Sequence, residues 1–171
     1  MNEALNNLLT RRSIRKYTSE PVTEAELDAV LAAGAAAPTA MGWQSPQIIA
    51  VTNPEDVATL SRLNAAVMGR DGDPFYGAKT VVVVLANAEN GNGIQDASLV
   101  MGNLLNGAHA IGLGSCWINR AKETFETDEG KALLDKWGIT GNWIGVGNCI
   151  LGHPDENPDP KPQREGYIVK V

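Results

Sequence analysis

Thr80-Val81-Val82-Val83-Val84-Leu85-Ala86 is the stretch that decides the fold. Its side chains are apolar or β-branched without a break, whereas a strand with one face in water alternates apolar and polar residues. The stretch therefore predicts a β-strand that is buried on both faces.

Helical and strand patterns alternate on either side of this strand. Thr23 and Glu26 have the spacing of a capping box, and Asn53-Pro54 has the order of an N-cap followed by the first residue of a helix. Helices are expected at residues 24–36, after 53, and at 94–110, 122–125 and 128–137, and strands at 47–52, 115–118 and 143–151. This alternation favours an α/β or α+β sandwich.

The C-terminal segment, residues 153–171, contains four prolines and does not have the pattern of a compact element. Its last residues, 167–171, are rich in β-branched side chains and look like a strand. We expect an extended arm that adds this strand to another sheet, for example in a partner subunit.

Length and composition narrow the class of protein. A chain of 171 residues without an internal linker is expected to form one domain, residues 1–171. The formal net charge of −6 argues against nucleic acid or a membrane surface as a partner. Neither a signal peptide nor a membrane-spanning run is predicted, so the chain is expected to be cytoplasmic.

The segment Arg11-Arg12-Ser13-Ile14-Arg15-Lys16-Tyr17 stands out against this acidic background. It holds four of the chain's 14 Lys and Arg residues. Such a cluster indicates either an anion-binding site or a solvated basic turn beside a helix, and the segment by itself does not decide between them.

Cys116 and Cys149 are too few for a disulfide framework or a zinc cluster, and no metal site is expected. Cys116 as a nucleophile, with His109 or His153 as its base, is weighed against a small buried hydrophobic residue, and the second interpretation is favoured.

Gly112 and Gly114 make a lone Gly-x-Gly that follows a helix and lacks a third glycine, which argues against a dinucleotide fingerprint. Gly112 is interpreted as a helix cap, and Gly114 is explained by the close approach of a flat ligand.

Three features together fit one ligand. The basic segment with Ser13 suits a phosphate, and the polar loop 39–44 suits the edge of a heteroaromatic ring. The glycine-lined backbone 112–115 suits the ring itself. A phosphate, a polar chain and a planar ring describe flavin mononucleotide (FMN).

The whole chain resembles the nitroreductase family of FMN-dependent oxidoreductases. Five motifs carry this resemblance in the family's order: Arg11-Arg12-Ser13-Ile14-Arg15-Lys16-Tyr17, Ala37-Pro38-Thr39-Ala40-Met41-Gly42-Trp43-Gln44, Asp96-Ala97-Ser98, Gly112-Leu113-Gly114-Ser115-Cys116-Trp117 and Lys161-Pro162-Gln163-Arg164. The sequence departs from the family pattern at Gly42, Pro46 and Gln163.

The resemblance implies an α+β fold, a three-layer α/β/α sandwich with an extended C-terminal arm, that forms a homodimer with FMN between the subunits. It implies that one subunit grips the phosphate, ribityl and pyrimidine end through Arg11, Arg12, Ser13 and Arg15, with Lys161 and Arg164 closing on the phosphate. Backbone from Gly112, Leu113, Gly114 and Ser115 would face the ring. The other subunit would supply Pro38, Thr39, Ala40, Met41 and Gln44.

The resemblance also implies the chemistry. NAD(P)H would reduce the flavin and leave, and a nitroaromatic, quinone or related small molecule would then be reduced, in a ping-pong cycle without a catalytic side chain. Trp43, Phe75 and Tyr76 are candidates either for the acceptor pocket or for a dimer interface. The alternatives are a flavin-binding regulator or carrier without turnover, and a specialised reductase or dehalogenase on the same scaffold.

Overall fold

The computed structural model describes residues 2–171, and a four-stranded antiparallel sheet forms its centre. The strands are β1 (Gln47–Val51), β2 (Thr80–Asn87), β3 (Gly114–Ile118) and β4 (Trp143–Gly152), in the order β1-β2-β4-β3. β2 and β4 are the inner strands, and β1 and β3 form the edges.

Six α-helices are present in the described residues: α1 (Glu3–Thr10), α2 (Glu24–Ala35), α3 (Pro54–Met68), α4 (Gly93–Ala110), α5 (Ala121–Glu126) and α6 (Asp128–Lys136). α2 and α4 pack on one face of the sheet, and α3, α5 and α6 pack on the other. The fold is α+β, and the two helical layers around the sheet make a three-layer α/β/α sandwich, as expected.

The continuous apolar run of β2 follows from its position between these layers. Val82 and Val84 point into the core beneath α4, while Val81 and Val83 point into the core beneath α3 and α5. Every residue from Val81 to Ala86 has an exposed fraction of 0%. The prediction of a strand buried on both faces is confirmed.

Two helix starts also agree with the sequence signals. At α2, the Thr23 N–H donates to a carboxylate oxygen of Glu26 at 2.8 Å, and the Glu26 N–H donates back to the Thr23 hydroxyl at 3.3 Å. At α3, Oδ1 of Asn53 accepts the N–H of Glu55 at 2.9 Å. Both caps satisfy N–H groups that have no partner within the helix.

The C-terminal arm, residues 153–171, forms no helix or strand in the described chain, as expected of an extended arm. Residues 167–171 form no strand, and their side chains are exposed, with Ile168 at 66% and Val169 at 76%. A strand needs a neighbouring strand for its hydrogen bonds, and the single chain does not supply one to this segment. The strand that residues 167–171 were expected to add to another sheet therefore stays a prediction.

Glycines on β4 let α5 lie directly on the sheet. A Cβ atom added at Gly145 would lie 2.4 Å from the backbone carbon and oxygen of Ala121, the first residue of α5. Because both neighbours are backbone atoms, no side-chain rotation relieves the clash.

This packing predicts that Gly145→Ala destabilises the fold by about 2 kcal/mol, the usual scale of an overpacked core. Gly91→Ala is the matched control, because no atom lies within 4 Å of its added Cβ. Urea unfolding followed by circular dichroism measures both free energies of unfolding. Equal stability of the two variants would contradict the close packing of α5 on β4.

Candidate functional site

The basic segment 11–17 is fastened along the outer edge of β3. The Ile14 N–H donates to the Ser115 carbonyl at 2.9 Å, and Ser13 forms a parallel bridge with Ser115. Further along, Tyr17 bridges to Pro154, just after β4, and its hydroxyl donates to the Ile14 carbonyl at 2.6 Å. The segment is therefore an ordered part of the sheet edge, and not a loose solvated turn.

The arginines of this segment have different surroundings. Nη1 of Arg12 donates to the carbonyls of Leu9 and Arg11 at 2.9 and 2.8 Å, so this guanidinium holds the backbone at the end of α1. Nη1 of Arg11 is buried and has no hydrogen-bond partner in the described residues. The Arg15 side chain is exposed and forms no hydrogen bond or ion pair with the residues that the structure describes. Arg11 and Arg15 are thus the cations that remain available to an anion.

His109 lies beside these arginines at the end of α4. Its Nε2 is 2.9 Å from the Thr10 hydroxyl. Burial lowers the pKa of His109, and the positive charges of Arg11 and Arg12 lower it further. The imidazole is therefore favoured in its neutral form next to the cationic cluster.

Residues 112–115 span the end of the turn after α4 and the start of β3, to which the basic segment is bonded. Gly112 has φ +84°, and the N–H of Leu113 donates to the Ala108 carbonyl at 2.9 Å, which confirms the helix cap. A Cβ at Gly114 would lie 2.9 Å from a methyl group of Ile14. The close approach at Gly114 is thus made by Ile14, which corrects the explanation by a flat ligand. The contact of residues 112–115 with a flavin stays a prediction.

A cavity of about 490 Å³ opens at the C-terminal end of β3. Its wall includes Arg15, Met68, Tyr76 and the backbone stretch 116–120 that ends β3. Its size is within the range of small-molecule sites, roughly 300–1,000 Å³. Arg15 and the end of β3 therefore line one cavity.

Asn64 of α3 supports the wall of this cavity and was not predicted as a site residue. It is fully buried, and its Nδ2 donates to the Asn119 carbonyl at 2.8 Å. Its Oδ1 is buried without a partner in the described residues. The sequence signal was an amide among the apolar positions of α3, and such an amide usually has both of its polar atoms bonded.

The polar loop 39–44 is held by Asp96 of α4. Oδ1 of Asp96, which is 3% exposed, accepts the N–H of Ala40 at 2.9 Å. Within the loop, the Gln44 N–H donates to the Thr39 hydroxyl at 2.9 Å, and Met41 and Gln44 have φ values of 54° and 49°. The loop, which includes a short 3-10 turn at Ala40–Gly42, is a fixed structure. The sequence placed Asp96 in a family motif but did not assign this role.

The loop and the basic segment lie at opposite ends of α4. Asp96 is in the first turn of the helix and His109 is in the last turn. At a rise of about 1.5 Å per residue, roughly 20 Å separates the two ends. The structure therefore does not bring Pro38, Thr39, Ala40, Met41 and Gln44 together with Arg11, Arg12, Ser13 and Arg15 within one chain.

The cations of the C-terminal arm show no hydrogen bond or ion pair with the described residues. Lys161 and Arg164 are exposed, and neither forms an ion pair in the described residues. The arm is held where it begins, because the Lys16 ammonium lies 2.7 Å from the Asp155 carboxylate. The predicted contact of Lys161 and Arg164 with a phosphate stays a prediction.

The cysteines have the environment of core residues. Cys116 and Cys149 are both buried and free, and burial raises the pKa of the Cys149 thiol to about 12. His109 contacts Thr10, and His153 lies 3.6 Å from a carboxylate oxygen of Glu26. These positions favour a packing role for both cysteines over a cysteine nucleophile with a histidine as its base.

Known proteins are similar to this chain in sequence and in fold. The model of the nitroreductase family matches residues 8–71, which include the basic segment and the polar loop. NADPH-flavin oxidoreductase of Vibrio harveyi is 26% identical to this chain over 185 residues, which cover 99% of the chain and 73% of that protein. FMN reductase [NAD(P)H] of Bacillus subtilis is 26% identical over 180 residues, which cover 95% of the chain and 70% of that protein.

Among solved structures, a nitroreductase of Bacteroides fragilis with bound FMN superimposes with a TM-score of 0.91 at 27% identity, covering all of both chains. These matches confirm the resemblance to the nitroreductase family. In residues 2–171, no helix has both the length and the apolar character that crossing a bilayer requires.

The residues present fit an FMN molecule. The unpaired Nη1 of Arg11 is a donor that a phosphate oxygen would satisfy, and the Ser13 hydroxyl lies nearby on the same segment. Arg15, on the same segment, lines the cavity, and the volume of this cavity suits a planar ring system.

The position of Asp96 predicts that Asp96→Ala releases the polar loop. Without the carboxylate, the N–H of Ala40 loses its acceptor, so amide hydrogen exchange in residues 40–45 is expected to rise at least about tenfold. Asp28→Ala, an exposed carboxylate on α2, serves as the control. Unchanged exchange in the loop would show that Asp96 does not hold it.

The charge environment of His109 predicts that Arg11→Met raises its pKa, because one of the neighbouring positive charges is removed. Titration of the His109 ring signals by NMR measures the change. Arg62→Met is the control, since Arg62 pairs with Glu129. A lower pKa in the Arg11 variant would contradict the electrostatic coupling.

Proposed function

We propose, from the confirmed resemblance of this chain to the nitroreductase family, that it is an FMN-dependent oxidoreductase. In this proposal it uses NAD(P)H to reduce nitroaromatic, quinone or related small-molecule acceptors. The names of its relatives, NADPH-flavin oxidoreductase and FMN reductase, support a flavin enzyme with a nicotinamide donor. The chain would act as one domain in the cytoplasm.

One observation carries the proposal: a basic segment ordered along the sheet edge presents a guanidinium with an unsatisfied N–H. Arg11 and Ser13 would bind the FMN phosphate by charge-assisted and hydroxyl hydrogen bonds. Arg12 would act indirectly, because its guanidinium holds the carbonyl of Arg11. Lys161 and Arg164 would reach the phosphate when the arm folds over it.

Arg15 would have a second role at the cavity. A guanidinium in the cavity wall stabilises negative charge on the group beside it, here the pyrimidine end of the flavin. The flavin, when bound, supplies the hydride chemistry, and the chain supplies binding, orientation and charge. We propose that NAD(P)H and the acceptor enter this one cavity in turn, which is a ping-pong order.

We further propose a homodimer with an FMN site at each subunit boundary. Because the two ends of α4 are roughly 20 Å apart, the polar loop would reach a flavin bound at the basic segment from the partner subunit. Apolar side chains also lie open on α1 and α4, including Leu8 at 58%, Ile94 at 52% and Leu99 at 49% exposure. Exposed apolar side chains of this kind favour burial between subunits.

The arm fits the same assembly. The outer edge of β3 is occupied by residues 13 and 14, whereas the outer edge of β1 is open in the described chain. Residues 167–171 would add a strand to the β1 edge of the partner subunit, which satisfies the backbone groups of both segments.

The first experiment is reduction of the FMN-loaded protein without oxygen. We expect a yellow protein that loses its visible absorbance on addition of NADPH or NADH and regains it when a quinone is added. A yellow protein that neither donor bleaches would indicate a flavin-binding regulator or carrier. A protein that takes up no FMN at micromolar concentration would contradict the proposal as a whole.

The second experiment tests the assigned phosphate contact. Arg11→Ala is expected to raise the dissociation constant of FMN at least about tenfold, because a charge-assisted hydrogen bond contributes a few kcal/mol. Quenching of FMN fluorescence measures the constant. Arg62→Ala removes an arginine that pairs with Glu129 instead and should bind FMN as the unmodified protein does. Equal affinity of the two variants would contradict the role of Arg11.

A further inference from the structure

The carboxylate of Asp73 holds the loop between α3 and β2 by hydrogen bonds. Asp73 accepts the N–H groups of Phe75 at 2.9 Å and of Gly77 at 2.6 Å, and it also accepts the Ser61 hydroxyl of α3. Phe75 is fully buried in the core with 0% exposure. The loop is therefore attached both by polar bonds and by an aromatic anchor.

Tyr76 lies between these anchors in a backbone conformation that a bulky residue seldom adopts. Its φ is 55°, in the left-handed region, and its N–H donates to the Asp73 carbonyl at 3.1 Å. Glycine or asparagine makes such a turn with less strain. The Tyr76 side chain remains 46% exposed, so the chain itself covers only part of the ring. Strain of this kind commonly marks a residue kept for binding.

Tyr76 lies at the cavity of about 490 Å³ described above. Tyr76 lines this cavity together with Arg15 and the end of β3. Within the single chain, the other two aromatic candidates do not line this cavity. Phe75 is in the core, and Trp43 lies on the polar loop at the far end of α4.

We propose that Tyr76 is a specificity-determining residue whose ring stacks on a planar aromatic electron acceptor in this cavity. The inference rests on the proposed function, since it assumes a flavin in the same site. An offset stack needs two flat faces, so Tyr76 favours quinones and nitroaromatics over acceptors without a flat face. The fixed loop keeps the ring in place before the acceptor arrives.

Two substitutions distinguish the effect of the Tyr76 ring from the effect of the loop conformation. Tyr76→Gly removes the ring and suits the positive φ, so the loop is expected to keep its conformation and the thermal midpoint is not expected to fall. Tyr76→Phe keeps the ring and removes only the hydroxyl. The test compares a naphthoquinone with ferricyanide, an octahedral anion that has no face for stacking.

We expect Tyr76→Gly to raise KM for the naphthoquinone about fivefold or more, the scale of one aromatic stacking contact. The ferricyanide rate and the FMN dissociation constant should stay within about twofold, because neither depends on the stack. Tyr76→Phe should resemble the unmodified enzyme with both acceptors.

An unchanged KM for the naphthoquinone in Tyr76→Gly would overturn the inference while leaving the proposed function intact. Weaker FMN binding in that variant would also overturn it, because the ring would then contact the flavin. If the unmodified protein binds no FMN, the proposed function and this inference both fail.

Discussion

The attachment of Ile14 to β3 is the contact on which the rest of the candidate site depends. Its N–H bonds to the Ser115 carbonyl, and its side chain occupies the space left by Gly114. Extended backbone sends neighbouring side chains to opposite sides, so burying Ile14 turns Ser13 and Arg15 away from the core. An apolar contact of 8% exposure thus sets the direction of the polar groups beside it.

Patterns made by residues close together in the sequence were enough to predict local structure. The run of β2, the capping box at Thr23 and the N-cap at Asn53 each determine a local structure, and the structure confirms them. The basic segment was identified as a candidate anion site by its charge density, but its attachment to the sheet edge was not visible.

What the sequence could not show depends on contacts between distant residues. Asp96 holds a loop that lies 56 positions away, and Asn64 supports a backbone carbonyl 55 positions away. The explanation of Gly114 was wrong because its neighbour, Ile14, comes from the other end of the chain. The strand at 167–171 stays a prediction, because a strand pattern does not say which sheet will accept it.

The proposed division of the site between subunits would link cofactor binding to assembly. If the basic segment and the polar loop reach one flavin from different subunits, FMN stabilises the dimer by mass action. Sedimentation velocity followed at the visible absorbance of FMN tests this account most directly. The account predicts that all bound flavin sediments at the mass of the dimer, with one flavin for each chain. Flavin sedimenting with the monomer would contradict it.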